Sequence, residues 1–178
     1  MLLSVSNNCF IGDLGLSIMK SEANNFKDIK GVMPYLAPEL LNGRGSYSQA
    51  TDIYAFGIIM WEISSAEKPF GEVDHDLQLA LSIVKGLRPE ITKDTPPFYR
   101  DLLEKCWHPD PTKRPTAKEI FELTEMWWSN SGKRTSEVQD QITKAEEIRQ
   151  QNSGIKKETK THPGAIYTSR LLTNITKG

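Results

Sequence analysis

Residues 51–65, TDIYAFGIIMWEISS, are the only long run in this 178-residue sequence with apolar side chains on every face of a helix. At 3.6 residues per turn, Ile53, Tyr54, Phe56, Ile58, Ile59, Met60, Trp61 and Ile63 do not share one stripe, so a helix here needs protein around it. The pattern predicts a central buried helix over residues 50–65. Asp52 and Glu62 flank a run too short for the roughly 20 apolar residues that span a bilayer, which excludes a membrane helix.

The flanking sequence is punctuated by local signals. Leu2-Leu3 and Cys9-Phe10-Ile11, separated by a Ser/Asn-rich tip, predict a small β-hairpin. The hairpin ends at Gly12-Asp13-Leu14-Gly15, where two glycines permit unusual backbone angles and expose the Asp13 carboxylate. Residues 16–31 lack periodicity and read as a long loop, a feature that is often functional. A short helix over residues 37–42 closes at Gly43, and Ser48 is placed to cap the central helix. Leu77, Leu79, Ala80, Leu81, Ile83 and Val84 predict another helix, ended by Gly86 and Pro89. Thr95 is placed to cap a further helix with Pro96 or Pro97 at its first position, buried through Phe98, Leu102, Leu103, Cys106 and Trp107. Thr116 and Glu119 carry the spacing of a capping box, and Ala117, Ile120, Phe121, Leu123 and Trp127 supply the buried side of that last helix.

Charge divides the sequence near Trp128. Residues 1–128 hold 13 Lys/Arg against 18 Asp/Glu, whereas residues 129–178 hold 9 against 5. The acidic first part, and a basic tail with no interleaved aromatics, argue against nucleic-acid binding. Cys9 and Cys106 form neither a disulfide framework nor a metal-ligand spacing, which suits a reducing compartment. His75, His108 and His162 are scattered and read as structural or solvated. The tail, residues 129–178, is polar. Its stripe of Val138, Ile142, Ala145 and Ile148 is narrow, leaving open a surface helix, a partner-binding helix or a frayed linker. A second apolar group, Ile166, Tyr167, Leu171, Leu172 and Ile175, has no partner that the sequence identifies. One glycosylation triplet, Asn174-Ile175-Thr176, is of a kind that arises often by chance.

Tripeptides such as Asp13-Leu14-Gly15 and Ala37-Pro38-Glu39 carry little weight singly, but their order and spacing do. Asp13-Leu14-Gly15 precedes a loop that ends in Gly31-Val32-Met33-Pro34-Tyr35-Leu36-Ala37-Pro38-Glu39. Then follow Asp52-Ile53-Tyr54-Ala55-Phe56-Gly57, Cys106-Trp107, Asp110-Pro111 and Arg114-Pro115-Thr116. The series resembles the large C-terminal lobe of a eukaryotic protein kinase over residues 1–128. Met33-Pro34-Tyr35 and Cys106-Trp107 look most like the tyrosine-kinase-like branch, whose members act mainly on Ser/Thr. The tail, residues 163–171, resembles tails that follow kinase domains in expanded fungal families.

The resemblance implies a mainly α fold: a kinase C-lobe around the central helix, with the N-terminal hairpin and without the N-lobe. It implies an activation segment over residues 13–39, in which Asp13 holds Mg2+ between the phosphates of ATP and Leu14 and Gly15 support it structurally. Ser17 and Ser21 are the candidate regulatory phosphorylation sites. Gly31, Val32, Met33, Pro34 and Tyr35 shape the pocket for the substrate residue just after the acceptor. Val32 stands where Ser/Thr kinases usually carry a threonine hydroxyl. Glu39 pairs with Arg114, and Asp52 bonds the backbone of the catalytic loop.

The parent activity implied is ATP-dependent phosphorylation of protein Ser/Thr (or Tyr) hydroxyls, with protein substrates or other kinases as partners and an intracellular location. That chemistry needs a Gly-rich loop, a phosphate-positioning lysine and a catalytic loop with its general-base aspartate. None of these is found in the 178 residues, whose opening aligns with the strand after the catalytic loop. The isolated chain is therefore expected to be inactive and to hold Mg2+ and ATP poorly. A fragment of an active kinase, a non-catalytic scaffold or decoy, and a nonfunctional remnant are all compatible with this. Without the catalytic loop, Asp52 and part of the central helix should face water, or a replacement such as the apolar group of the tail.

Overall fold

The computed structural model describes residues 2–3, 9–10, 29–128, 133–152 and 160–172. Strand β1 (Leu2–Leu3) pairs antiparallel with β2 (Cys9–Phe10), as Leu2 opposite Phe10 and Leu3 opposite Cys9. The remainder is mostly helical: α1 (Pro38–Leu41), α2 (Gln49–Ser65), α3 (Leu77–Val84), α4 (Pro97–Cys106), α5 (Ala117–Met126) and α6 (Ser136–Asn152). A second pair, β3 (Lys30–Gly31) with β4 (Arg170–Leu171), joins the tail to the loop before α1.

Helix α2 starts where its sequence signal lies. The Ser48 hydroxyl accepts from the Thr51 amide at 3.3 Å, and Thr51 Oγ1 accepts from the Ser48 amide at 3.0 Å. Two otherwise orphaned donors are thus satisfied. Tyr54, Gly57, Ile58, Met60 and Trp61 are buried, largely against α4, where Leu102, Leu103 and Cys106 complete a core with Trp107 and Ile120. The two helices approach so closely at Gly57 that a Cβ there would lie 2.9 Å from the Cys106 Cβ and 3.1 Å from the Trp107 backbone nitrogen. Tyr99 donates from its hydroxyl to the Met60 carbonyl at 3.0 Å, and Trp61 Nε1–H to the Glu90 carbonyl at 2.8 Å.

Burial of α2 on all sides does not occur. Phe56, Ile59 and Ile63 are 39%, 37% and 60% exposed, and with Asp52 they form one stripe at helical spacing. No described element lies over that stripe, and the apolar group of the tail packs elsewhere. Helix α5 is likewise half open: its capping box forms, with Thr116 N–H donating to Glu119 Oε2 at 2.7 Å, but Ala117 and Phe121 are exposed and Ile120 carries the burial.

One further difference has a local cause. Thr95 does not cap α4; it is buried with its hydroxyl 3.0 Å from that of Thr92, and Pro96 takes the cap position. The Phe98 amide at that helix start instead donates to Gln141 Oε1 of α6 at 2.9 Å. Helix α6 lies on the surface, burying Val138 and Ala145 and joining Arg149 Nε to Asp94 Oδ2 at 2.7 Å.

A second core, formed by Met33, Leu36, Leu40, Leu41, Leu79, Ala80 and Ile83, lies between the loop after β3, α1 and α3. The remaining member of that core is Leu172 from the tail.

Candidate functional site

The candidate site is the strip from Gly31 to Tyr35. After β3 the backbone stays extended at Val32 and turns through a 3-10 helix, Met33–Tyr35, with Pro34 near its start. Pro34 fixes φ and lacks a donor, which suits the first turn of a helix. Met33 and Pro34 are buried, and Val32 is partly buried with its carbonyl accepting from the Tyr35 amide at 3.0 Å. Tyr35 anchors the turn to α2, its hydroxyl donating to Glu62 Oε2 at 2.7 Å. Burial, then the bond to the Glu62 carboxylate and its charge, holds the Tyr35 phenol far above its usual range. The hydroxyl therefore stays protonated and keeps donating.

Strand β3 is fixed from one side by Tyr47, whose hydroxyl accepts from the Lys30 amide at 2.9 Å and donates to the Lys30 carbonyl at 2.7 Å. Both Lys30 backbone groups are thereby taken, so pairing runs along the other edge, where β4 lies.

Glu39 of α1 and Arg114 meet in a bidentate pair, Nη1–Oε1 at 2.7 Å and Nη2–Oε2 at 2.8 Å. The Arg114 side chain is fully buried and also donates to the carbonyls of His108 at 2.8 Å and Ala50 at 2.9 Å. The fork geometry of a guanidinium suits such simultaneous contacts, which tie α1, the start of α2 and the turn before α5 to one point. The Tyr54 ring lies between the Arg88 and Arg114 guanidiniums, 5.0 and 5.2 Å from its centroid. Burial pushes the Tyr54 hydroxyl up to about 12 despite the two cations.

Asp52, in the first turn of α2, has no hydrogen-bond partner for its carboxylate among the described residues, and partial burial raises that carboxyl above its ordinary range. Asp13, Leu14, Gly15, Ser17 and Ser21 lie outside the described residues. Among the described residues no group of three or more His, Cys, Asp and Glu side chains converges to hold a metal ion. Around the strip from Gly31 to Tyr35 the described part presents a surface to which the tail contributes, through Arg170 opposite Gly31 and Leu172 beside Met33.

Sequence reasoning did not find the tail's share of this surface. His75, read there as structural or solvated, is buried. Its Nδ1 lies 3.1 Å from the Ile166 amide nitrogen and its Nε2 lies 3.1 Å from the Phe70 carbonyl oxygen. The same Nδ1 also lies 3.0 Å from the Ile166 carbonyl oxygen, so the ring is held on both sides by backbone groups. Tyr167 donates to the Pro69 carbonyl at 3.0 Å, and its phenol is pushed up to about 12 by burial and the nearby Glu62 charge. The apolar group at residues 166–172 was the available signal, but nothing local specified its partner.

The family model for protein tyrosine and serine/threonine kinases matches residues 1–124. The chain belongs to that kinase family. Among curated relatives, it is 41% identical over 124 residues to a probable serine/threonine-protein kinase of Dictyostelium discoideum. It is 35% identical over 132 residues to the dual specificity protein kinase shkA of the same organism, and 35% identical over 114 residues to a serine/threonine-protein kinase of Arabidopsis thaliana. These matches cover 69%, 71% and 64% of this chain but 13%, 25% and 20% of the relatives. Its helical architecture with the small antiparallel sheet is that of a kinase C-lobe. No helix among the described residues is long and apolar enough to cross a membrane.

Proposed function

We propose that this lobe holds the protein substrate of a kinase that transfers the γ-phosphate of ATP to Ser or Thr hydroxyls. The observation that carries the reading is the anchored strip from Gly31 to Tyr35, pinned to α2 by the bond from Tyr35 to Glu62. By the resemblance to protein kinases, this strip receives the residue after the acceptor. The tyrosine-kinase-like branch is supported by the order of Met33-Pro34-Tyr35, Ala37-Pro38-Glu39 and Cys106-Trp107, and Ser/Thr over Tyr by the members of that branch acting mainly on Ser/Thr and by two relatives named serine/threonine-protein kinases. The resemblance of residues 163–171 to tails in expanded fungal families supports a lineage within that branch. Mg2+ and ATP belong to the parent reaction, with Asp13 as this chain's candidate contributor.

A second reading, a lobe that binds kinases or their substrates without catalysis, rests on Val32, which stands where the resemblance places a threonine hydroxyl. Phosphate transfer from radiolabelled ATP to a Ser/Thr-rich protein separates the two, using this chain and the longest product of its gene that contains it. The first reading expects label on Ser or Thr with the longest product and none with the 178 residues alone. Absence of transfer from both selects the non-catalytic reading, and label confined to Tyr overturns the acceptor assignment.

A further inference from the structure

We propose that residues 162–172 fill, in cis, the groove through which this lobe takes an extended polypeptide, and that they do so as a blocking segment with a large aliphatic plug. The inference rests on the reading of residues 31–35 as the pocket for the residue after the acceptor.

The groove has an edge and a pocket. Its edge is β3, which Tyr47 closes on one side, so that an added strand pairs only on the other. There Lys30 stands opposite Leu171 and Gly31 opposite Arg170, and the Leu172 amide donates to the Ile29 carbonyl at 2.8 Å. This is recognition by strand addition, in which backbone bonds give attachment and alternate side chains give specificity. Leu172, 2% exposed, is the plug and joins the core that holds Met33, Leu36, Leu40, Leu79 and Ile83. Leu171, 45% exposed, points away, as alternation along a strand requires. If Leu172 is the residue after the acceptor, Leu171 takes the acceptor's place. It carries no hydroxyl, so the segment occupies the groove without being a substrate.

The rest of the strap is held mainly through backbone groups. The His162 amide donates to the Gly71 carbonyl at 2.7 Å, and the His75 amide to the Gly164 carbonyl at 3.0 Å. Arg170 donates to the His75 carbonyl, and Tyr167 to that of Pro69. The Gly164 backbone lies against the exposed Asp74 side chain, so close that a Cβ there would fall 2.2 Å from its Oδ1 unless that side chain moved. Contacts of this kind hold an extended backbone, while Leu172 is the strap's fully buried apolar anchor. One plug and a set of hydrogen bonds form an attachment that a competing peptide replaces group for group.

The test is a fluorescein-labelled peptide of residues 160–172, titrated by anisotropy into the full chain. Wild type should bind it weakly, because the cis segment holds the groove at an effective concentration of order millimolar. The full-chain variant Leu172→Asp, shown to melt cooperatively, should bind the peptide at least 10-fold more tightly. A peptide carrying its own Leu172→Asp should not bind. Should that chain fail to fold, the double variant Tyr167→Phe, Arg170→Ala, which leaves the plug in place, replaces it and should also gain affinity. A folded variant that binds the peptide no more tightly than wild type overturns the proposal. Because binding is read without phosphate transfer, a failed kinase assay with an intact binding result indicts the kinase reading alone.

Discussion

Arg114 shows how one side chain joins distant parts of the chain. Its guanidinium reaches Glu39, 75 residues away, and also the carbonyls of Ala50 and His108, with no exposed surface of its own. Truncating it leaves the Glu39 carboxylate and several carbonyls without their donor in a largely dry site. Arg114→Ala should therefore cost about 3 to 5 kcal/mol and lower the melting temperature by about 6 to 20 °C in a thermal scan. An unchanged melting temperature would remove the pair from the explanation of the fold. The pair was foreseeable through family resemblance alone, since no local pattern links residues so far apart. The companion arrangement, Tyr54 between two guanidiniums, gave no sequence signal, because Arg88 belongs to a different loop and reaches Tyr54 only through the tertiary fold.

Elements were legible where their signals are local. Ser48 with Thr51, Thr116 with Glu119, and the positive-φ glycines Gly43 and Gly86 mark helix ends because each acts within one turn of chain. Which faces are covered was less legible, because covering depends on what lies opposite. Ile63 and Phe121 have the spacing of buried residues and yet meet solvent. The choice left open for α6 resolves as a surface helix through Gln141 and Arg149, polar residues that an apolar count ignores. The Asp94 carboxyl at that contact is pushed up by partial burial but pulled further down by the Thr92 hydroxyl and Arg149, ending below its usual range. A depressed folded value means stabilisation present above the unfolded value, about 3.9, and lost as pH falls through the folded one. Asp94→Asn should thus destabilise the chain by up to about 1 kcal/mol at pH 7, the pair being partly exposed, with wild type and variant converging in acid. Denaturant melts across pH test this; a difference that grows toward acid would contradict the sign.

At the scale of the whole molecule, the sequence pattern suggested a lobe followed by a loosely attached tail, and the structure returns the tail to the lobe. It comes back by pairing β4 with β3 and adding Leu172 to the core beside Met33 and Leu36, leaving the stripe of α2 open. Two-residue strands are too short to leave an alternating pattern, so this closure could not be read in advance. On the proposed reading, the surface that takes a polypeptide and the segment that covers it are parts of one chain. Native-state hydrogen exchange on the unmodified protein tests this most directly, at the Leu172 amide that donates to the Ile29 carbonyl. The closure predicts slowed exchange at Leu172, well below the rate of a free peptide. Exchange there at the free-peptide rate, while the amides of α2 and α4 stay protected, would contradict it.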